Sequence, residues 1–255
     1  MPFAYCVPIR RPGGDRNELI CSTTARSRCW YSSTLLNMTT TTILCDLDGT
    51  LVDSRRDIAV AFQHAWRTVV GGIPPSATAI AQHIGKPLAK MLSELGGMMS
   101  PSLLSTFLTA YRRTYSRQDA RLTQPYPAVI LTLRALSTFR LGVVTTKDSG
   151  QAEIVLRRLA LIPFFQHIQG GTVGLRLKPA PDTILAALAA LHCAPPCALM
   201  VGDTPADVLA GKAAGTKTCA VTYGFGTREA LLQCAPDHVI DSFGELVDLV
   251  RESRG

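Results

Sequence analysis

The stretch Cys45-Asp46-Leu47-Asp48-Gly49-Thr50-Leu51-Val52-Asp53 puts three carboxylates within eight residues, directly after the apolar run Ile43-Leu44-Cys45. Acids gathered at the end of a buried strand repel one another, so the cluster calls for a positive partner or for chemistry that needs carboxylates. Further polar residues follow later apolar runs: Thr145-Thr146-Lys147 after Leu141–Val144, Lys178 in Lys178-Pro179-Ala180-Pro181, and Gly202-Asp203 with Asp207 four residues on. Taken singly, each is an ordinary helix cap or turn residue. Taken together, they form a patch of carboxylates with a lysine and hydroxyls.

The elements that must position these groups are legible from hydrophobic period. Residues 42–45 read as a strand. Ser54 then caps a helical pattern running to about residue 70, with Ile58, Phe62, Ala65, Trp66 and Val69 on one face. Three shorter helical stretches follow near 76–84, 87–95 and 101–117, and no strand signal falls between 55 and 125. From residue 125 onward strands alternate with helices: helix 127–138, strand 141–145, helix 149–160, strand 167–170, helix 180–191, strand 198–201, helix 205–214, strand 218–222, helix 227–233, strand 238–240 and helix 243–252. Such alternation predicts an α/β fold, a doubly wound parallel sheet of Rossmann-like type. The helical block after the first strand is an insertion large enough to be a small domain. The expected division is a leader of 1–41, a core of 42–54 plus 125–255, and an all-helical insert of 55–124.

Ligands of open parallel sheets bind beyond the carboxyl ends of the strands, where this order places Asp46, Asp48, Asp203, Asp207, Thr145 and Lys178. Two carboxylates about 4 Å apart repel by about 4 kcal/mol at an effective dielectric near 20, and a divalent cation removes that penalty. An all-oxygen donor set selects a hard ion, and Mg²⁺ suits a site that keeps positions for water and phosphate.

The formal charge of +7 has a local source, since residues 1–41 hold five arginines against two acids and carry +3 of it. That Arg- and Ser-rich start reads either as a transit peptide or as an unfolded extension before a true start at Met38. No basic stripe interleaved with aromatics points to nucleic acid, and no apolar run approaches a membrane span. Cys45, Cys193, Cys197, Cys219 and Cys234 sit mostly in apolar runs, and Cys193 with Cys197 lacks the ligand number and spacing of a zinc site. A reducing, cytoplasmic setting is expected, with organellar import if the leader is a transit peptide.

The segment Asp46-Leu47-Asp48-Gly49-Thr50-Leu51-Val52-Asp53, then Thr145, Lys178 and Gly202-Asp203-Thr204-Pro205-Ala206-Asp207, resembles the four-motif set of the haloacid dehalogenase-like hydrolases. Pro125-Tyr126-Pro127, Val144-Thr145-Thr146-Lys147, Lys178-Pro179-Ala180-Pro181-Asp182 and Thr222-Tyr223-Gly224 are similar to the phosphoglycolate phosphatases among them, where the insert corresponds to a helical cap. The resemblance spans about residues 42–252.

It implies a nucleophile at Asp46 that becomes an aspartyl-phosphate, and an acid/base at Asp48, a residue the dehalogenases lack. Mg²⁺ would be held by Asp46, the carbonyl of Asp48, and Asp203, with Asp207 ordering its surroundings. Lys178 would hold Asp46 and the phosphoryl group, with Thr145 and the backbone near Thr146 on the phosphoryl oxygens. The cap reads the leaving group: Arg55, Arg56, Lys86 and Lys147 are candidates, with Gly85-Lys86-Pro87-Leu88 as the substrate loop. Departures at Ala128 and Thr146, where that family often has glycine and asparagine, bear on the substrate but not on the catalytic set. The expected partner is a small phosphorylated metabolite, with no nucleic acid or membrane, acting as a monomer or homodimer. The leading substrate is 2-phosphoglycolate; the alternatives are pyrophosphate, a sugar phosphate or a phosphosugar mutase reaction. A nucleic-acid-binding protein and a catalytically dead scaffold are the readings from other classes.

Overall fold

The structure, a computed structural model, describes residues 39–96, 100–172 and 174–252, so the expectations for residues 1–38 lie outside it. Strand β1 (Thr42–Cys45) is followed by β2 (Val52–Asp53) and by helices α1 (Arg55–Val69), α2 (Ala77–Ala81), α3 (Leu88–Gly96) and α4 (Pro101–Gln118). After β3 (Gln124–Pro125) the chain alternates through α5 (Val129–Ala135), β4 (Arg140–Asp148), α6 (Ser149–Arg158), β5 (His167–Gly171), α7 (Asp182–Ala190), β6 (Ala198–Gly202), α8 (Pro205–Ala214), β7 (Lys217–Val221), α9 (Arg228–Gln233), β8 (His238–Ile240) and α10 (Leu246–Glu252).

Six strands form one parallel sheet in the order β5-β4-β1-β6-β7-β8. The first strand in sequence is therefore central, with β4 on one side and β6 on the other, and the strand order reverses there. Cys45 is level with both Val143 and Val201, so β1 and β6 end side by side while β4 runs on past them to Asp148.

Strand periodicity separates the two faces. Ile43, Cys45, Leu141, Val143, Leu199 and Val201 point into one apolar cluster. Leu44, Val144, Ala198 and Met200 point into the other, against Ile184, Ala187, Leu188 and Leu191 of the α7 region and Ala210 and Ala214 of α8. A continuous run of apolar residues in each strand is what burial on both faces requires.

The helical insert is built around α1 and α4. Phe62 of α1 meets Phe107 of α4 edge to face at 5.1 Å and stacks on Trp66 at 6.1 Å. Buried Asp57 of α1 accepts from Leu122 N–H (2.9 Å) and from the Thr123 hydroxyl (2.7 Å), which fixes the chain as it leaves α4.

Two local differences from the expected elements have simple causes. The antiparallel ribbon that pairs Val52 with Pro125 and Asp53 with Gln124 has two residues per strand, too few to show a period. It holds the entrance and exit of the insert side by side. Helix α5 starts at Val129 rather than residue 127 because Ala128 has φ 64°, in the left-handed region. No helix among the described residues is long and apolar enough to cross a membrane.

Candidate active site

Asp46 is the first residue beyond β1, and its N–H donates to Val201 C=O at 2.9 Å, so the sheet itself fixes its backbone. Its Oδ1 lies 2.9 Å from Lys178 Nζ. That ammonium has three protons and three acceptors: Asp46, Asp207 Oδ1 and the Val144 carbonyl at 2.8 Å. Asp207 is the third residue of α8 and closes a capping box with Thr204, its Oδ2 accepting from Thr204 N–H (3.0 Å) and from the Thr204 hydroxyl (2.6 Å). A residue that reads in sequence as a cap is therefore a cap and also a lysine partner.

Asp203, at the end of β6, is fully buried. Its Oδ1 accepts from the Thr50 hydroxyl at 2.8 Å and its Oδ2 from Phe225 N–H at 2.7 Å. The turn after Asp48 can lie this close only because residue 49 is glycine. Its φ is +94°, and a Cβ there would stand 2.2 Å from Asp203 Oδ2.

Burial, with Asp207 and Asp48 adding to it against the pull of Lys178, raises Asp46 to about 7. Burial, followed by Asp46 and Asp207, pushes Asp203 well above the carboxylate range. For Lys178 burial works against the charge, but Asp207 and Asp46 outweigh it and hold the ammonium protonated. With all three acids ionised, three carboxylates face one ammonium, and two negative charges remain uncompensated. Oxygens of Asp46, Asp203 and Asp207 all lie within 4.8 Å of one another. Hard donors, buried and short of positive charge, fit a small divalent cation.

Asp48 stands apart from that group. One of its oxygens accepts from the Ser54 hydroxyl, and the other lies 3.3 Å from Lys147 Nζ. Ser54 thus stands at the N-terminus of α1 as expected, but its side chain makes no cap and serves Asp48 instead. Lys147 Nζ also donates to Tyr115 O–H oxygen at 2.9 Å and sits 4.0 Å from the centre of that ring. Tyr115 belongs to α4, so one buried lysine joins the insert to the loop that carries Asp48. Thr145 is buried beside them, its hydroxyl oxygen accepting Lys147 N–H at 3.2 Å. Thr146 donates its hydroxyl to Gly85 C=O of the insert at 3.4 Å.

A cavity of about 680 Å³ lies between sheet edge and insert. Asp48, Thr146, Lys147 and Gln151 line it from one side, and Lys86, Leu88, Met91, Tyr111 and Arg112 from the other. Lys86 is on this wall, but its Nζ is paired with Glu94, which His83 also contacts at 2.8 Å. Arg55 is turned away to Asp53, 2.6 Å away, and over the Phe225 ring; it does not line the cavity, nor does Arg56. The structure therefore brings together Asp46, Lys178, Asp203 and Asp207, sets Asp48, Thr145 and Thr146 beside them, and leaves Lys86 across the cavity.

Sequence reasoning gave Ser54 a capping role and Thr50 a turn-shaping one, and it passed over Tyr115, Arg112 and Gln151. Thr50 and Ser54 carried a signal, since both are hydroxyls within a few residues of the paired acids. The other three are set by tertiary packing and carried none.

A sequence profile of the haloacid dehalogenase-like hydrolases matches residues 43–221. The chain is 35% identical over 214 residues to the pyrophosphatase PpaX of Bacillus pumilus, covering 83% of this chain and 97% of the relative. It is 33% identical over 210 residues to the phosphoglycolate phosphatase of Aquifex aeolicus, covering 82% and 95%. A solved haloacid dehalogenase-like family hydrolase from Streptococcus pneumoniae superposes with a TM-score of 0.74 at 31% identity, over 82% of this chain and 98% of that one. Both curated relatives span the insert as well as the sheet, so the likeness covers the acids at the sheet edge and the helices above them. The chain belongs to the haloacid dehalogenase-like hydrolases and is a phosphatase of the phosphoglycolate phosphatase-like group within them.

Proposed function

We propose that the protein is a Mg²⁺-dependent phosphatase of small phosphate esters, that 2-phosphoglycolate is its substrate, and that Asp46 is phosphorylated in each turnover. The observation that carries this reading is the buried knot of Asp46, Asp203 and Asp207, with Lys178 pairing Asp46 and Asp207 alone, two negative charges out of balance at the edge of a cavity. Asp46, Asp203 and the Asp48 carbonyl would hold the ion. When bound, Mg²⁺ neutralises phosphoryl charge and so lets an anionic nucleophile approach an anionic ester.

The chain's own residues do the rest. Lys178 fixes Asp46 Oδ1 and adds positive charge next to the attacked phosphorus. Asp46 oxygen forms the new bond to phosphorus while the ester oxygen leaves. Asp48, held by Ser54 and Lys147, gives that oxygen a proton, then takes one from the water that cleaves the aspartyl-phosphate. Thr145 and Thr146 cradle the phosphoryl oxygens. Asp207, with both oxygens spent on Lys178 and Thr204, acts by holding Lys178 in place rather than by contact with substrate. The insert, residues 55–124, is a cap over the core of 42–54 and 125–255, and it excludes water from the intermediate.

A second reading keeps the chemistry and changes the substrate to pyrophosphate, favoured by the likeness to PpaX at 35% identity. Phosphate release from 2-phosphoglycolate, pyrophosphate and a set of sugar phosphates, each with Mg²⁺ and with chelator, separates the two. The first reading expects 2-phosphoglycolate to have the highest kcat/KM and chelator to abolish it. Pyrophosphate ranking first replaces it with the second, and turnover undiminished in chelator overturns both.

A further inference from the structure

No catalytic step uses the segment Tyr223-Gly224-Phe225-Gly226, which follows β7, yet it closes around Asp203. Phe225 N–H donates to Asp203 Oδ2 at 2.7 Å. Tyr223 donates its hydroxyl to Thr50 C=O at 2.7 Å, and the Thr50 hydroxyl in turn donates to Asp203 Oδ1 at 2.8 Å. The two glycines admit this approach: a Cβ on Gly224 would stand 2.2 Å from Asp203 Cβ, and one on Gly226 2.2 Å from the Asp203 carbonyl oxygen. One loop therefore reaches both oxygens of a single carboxylate, one directly and one through Thr50. Each oxygen has two lone pairs, so one hydrogen bond apiece fixes the plane of the group and leaves a lone pair on each for a cation.

The same loop meets both linkers of the insert. Arg55, the first residue of α1, sits over the Phe225 ring, 5.7 Å from its centre, while its guanidinium is paired with Asp53 of β2. Tyr126, directly after β3, packs its ring against Tyr223 at 4.7 Å, and its N–H donates to Leu51 C=O at 3.0 Å. β2 and β3 pair as the ribbon through which the chain enters and leaves the insert.

We propose that the Tyr223–Gly226 loop orients Asp203 for the cation, with Tyr223 and Phe225 as positioning residues, and that through Arg55 and Tyr126 it couples cation binding to the linkers of the insert. The inference rests on the reading that Asp203 holds Mg²⁺ and goes beyond it, since it gives part of the metal affinity to residues outside the ligand set. Hydrogen-bond partners behind a metal ligand are ordinarily worth about 10–100-fold in affinity. The coupling is reciprocal: whatever the cation does to the linkers, the linkers do to cation affinity.

The test titrates the full chain with Mg²⁺ alone, by calorimetry and without substrate, so that affinity is read apart from turnover. Tyr223→Phe, which removes one hydroxyl and keeps the ring, should weaken Mg²⁺ binding by about tenfold. Thr50→Val should weaken it at least as much, and Thr50→Ser, which keeps the hydroxyl, should bring it back near the parent value. Arg55→Ala touches neither the cation nor Asp203 and should still weaken binding by about fivefold. In the parent, Mg²⁺ should slow hydrogen exchange at Tyr126 N–H, and Tyr223→Phe should lose most of that slowing. A purely structural loop predicts lower urea midpoints for the variants but Mg²⁺ affinity within about twofold of the parent, short of the range for a ligand's partner. That result would overturn the positioning role and leave the phosphatase reading standing. Losses at Tyr223 and Thr50 with none at Arg55 and no change at Tyr126 would overturn the coupling. A parent that takes up no Mg²⁺ overturns the metal reading and this inference together.

Discussion

The carboxylates at the sheet edge and those at the periphery experience opposite environments. Asp53 is held below the ordinary carboxylate range, first by the hydrogen bond from Arg55, and Asp237 is held low by the Thr218 N–H and hydroxyl, which together outweigh its partial burial. Asp46 and Asp203 are raised, above all by burial. A peripheral acid is satisfied by its neighbours and favours the folded state when ionised. An edge acid is kept from water by the fold and lacks sufficient positive charge, so its ionised form is completed only by a ligand. The difference is whether the partner comes with the chain.

The sharpest way to break this contrast is Asp46→Asn. Turnover in a phosphate-release assay should fall by roughly four to six orders of magnitude, as expected on removing a nucleophile. Asp48→Asn should cost about 10²–10⁴ in kcat, since the Asp48 side chain lies outside the group of metal-facing carboxylates and acts on protons, and the substitution keeps the backbone carbonyl offered to the ion. Lys178→Met tests the edge as structure: removing the one cation from between Asp46 and Asp207 should cost about 3–5 kcal/mol in urea unfolding under chelator, as for any broken buried ion pair.

The pH dependence carries the contrast's sign. Asp46 binds its proton more tightly folded than unfolded, so metal-free protein should lose urea resistance as pH rises from the ordinary 3.8 towards about 7. Mg²⁺ binds the ionised form and should flatten or reverse that slope. The peripheral acids slope the other way, their contribution present above the unfolded pKa and lost as pH falls through their lowered values. A metal-free protein whose stability rises across the same interval would refute the assignment. The smallest effect is expected at Asp53→Asn, where a half-exposed pair with Arg55 should move the urea midpoint by no more than about 0.5 kcal/mol.

Much of this was legible before any coordinates. Strands buried on both faces announce themselves as runs such as Thr42–Cys45 and Ala198–Gly202, and the residues just beyond their ends must then share one edge. That logic places Asp46, Asp203 and Thr145 from order alone. Lys178 is placed at the same edge by preceding the helix of residues 180–191, but its pairing with Asp46 came only through resemblance, because no period describes the path of its loop. Of the cavity wall, the loop Gly85–Leu88 with Thr146 and Lys147 was named from sequence and lines the space, but the partners of its cations were not legible. Lys86, Arg55 and Lys147 are equivalent in a sequence, each a cation near the insert, yet packing gives them Glu94, Asp53 and Asp48 as partners respectively. Arg112 is one of several arginines on α4, and only the turn of that helix against α1 decides which of them meets the cavity. The β2–β3 ribbon escaped because two residues cannot alternate.

At Gly85 the insert passes so close to the loop after β6 that a Cβ would lie 2.9 Å from the Thr204 methyl, with φ at +95°. This position sets a floor under the gap between the two layers, because any larger residue would force them apart and carry Thr204, the anchor of Asp207, with it. Attempts to enlarge the chamber for bulkier esters should therefore trim Leu88 or Met91, whose side chains face the space without bearing on that hinge point of close approach. A screen that randomised residue 85 would return inactive clones before it returned roomier ones.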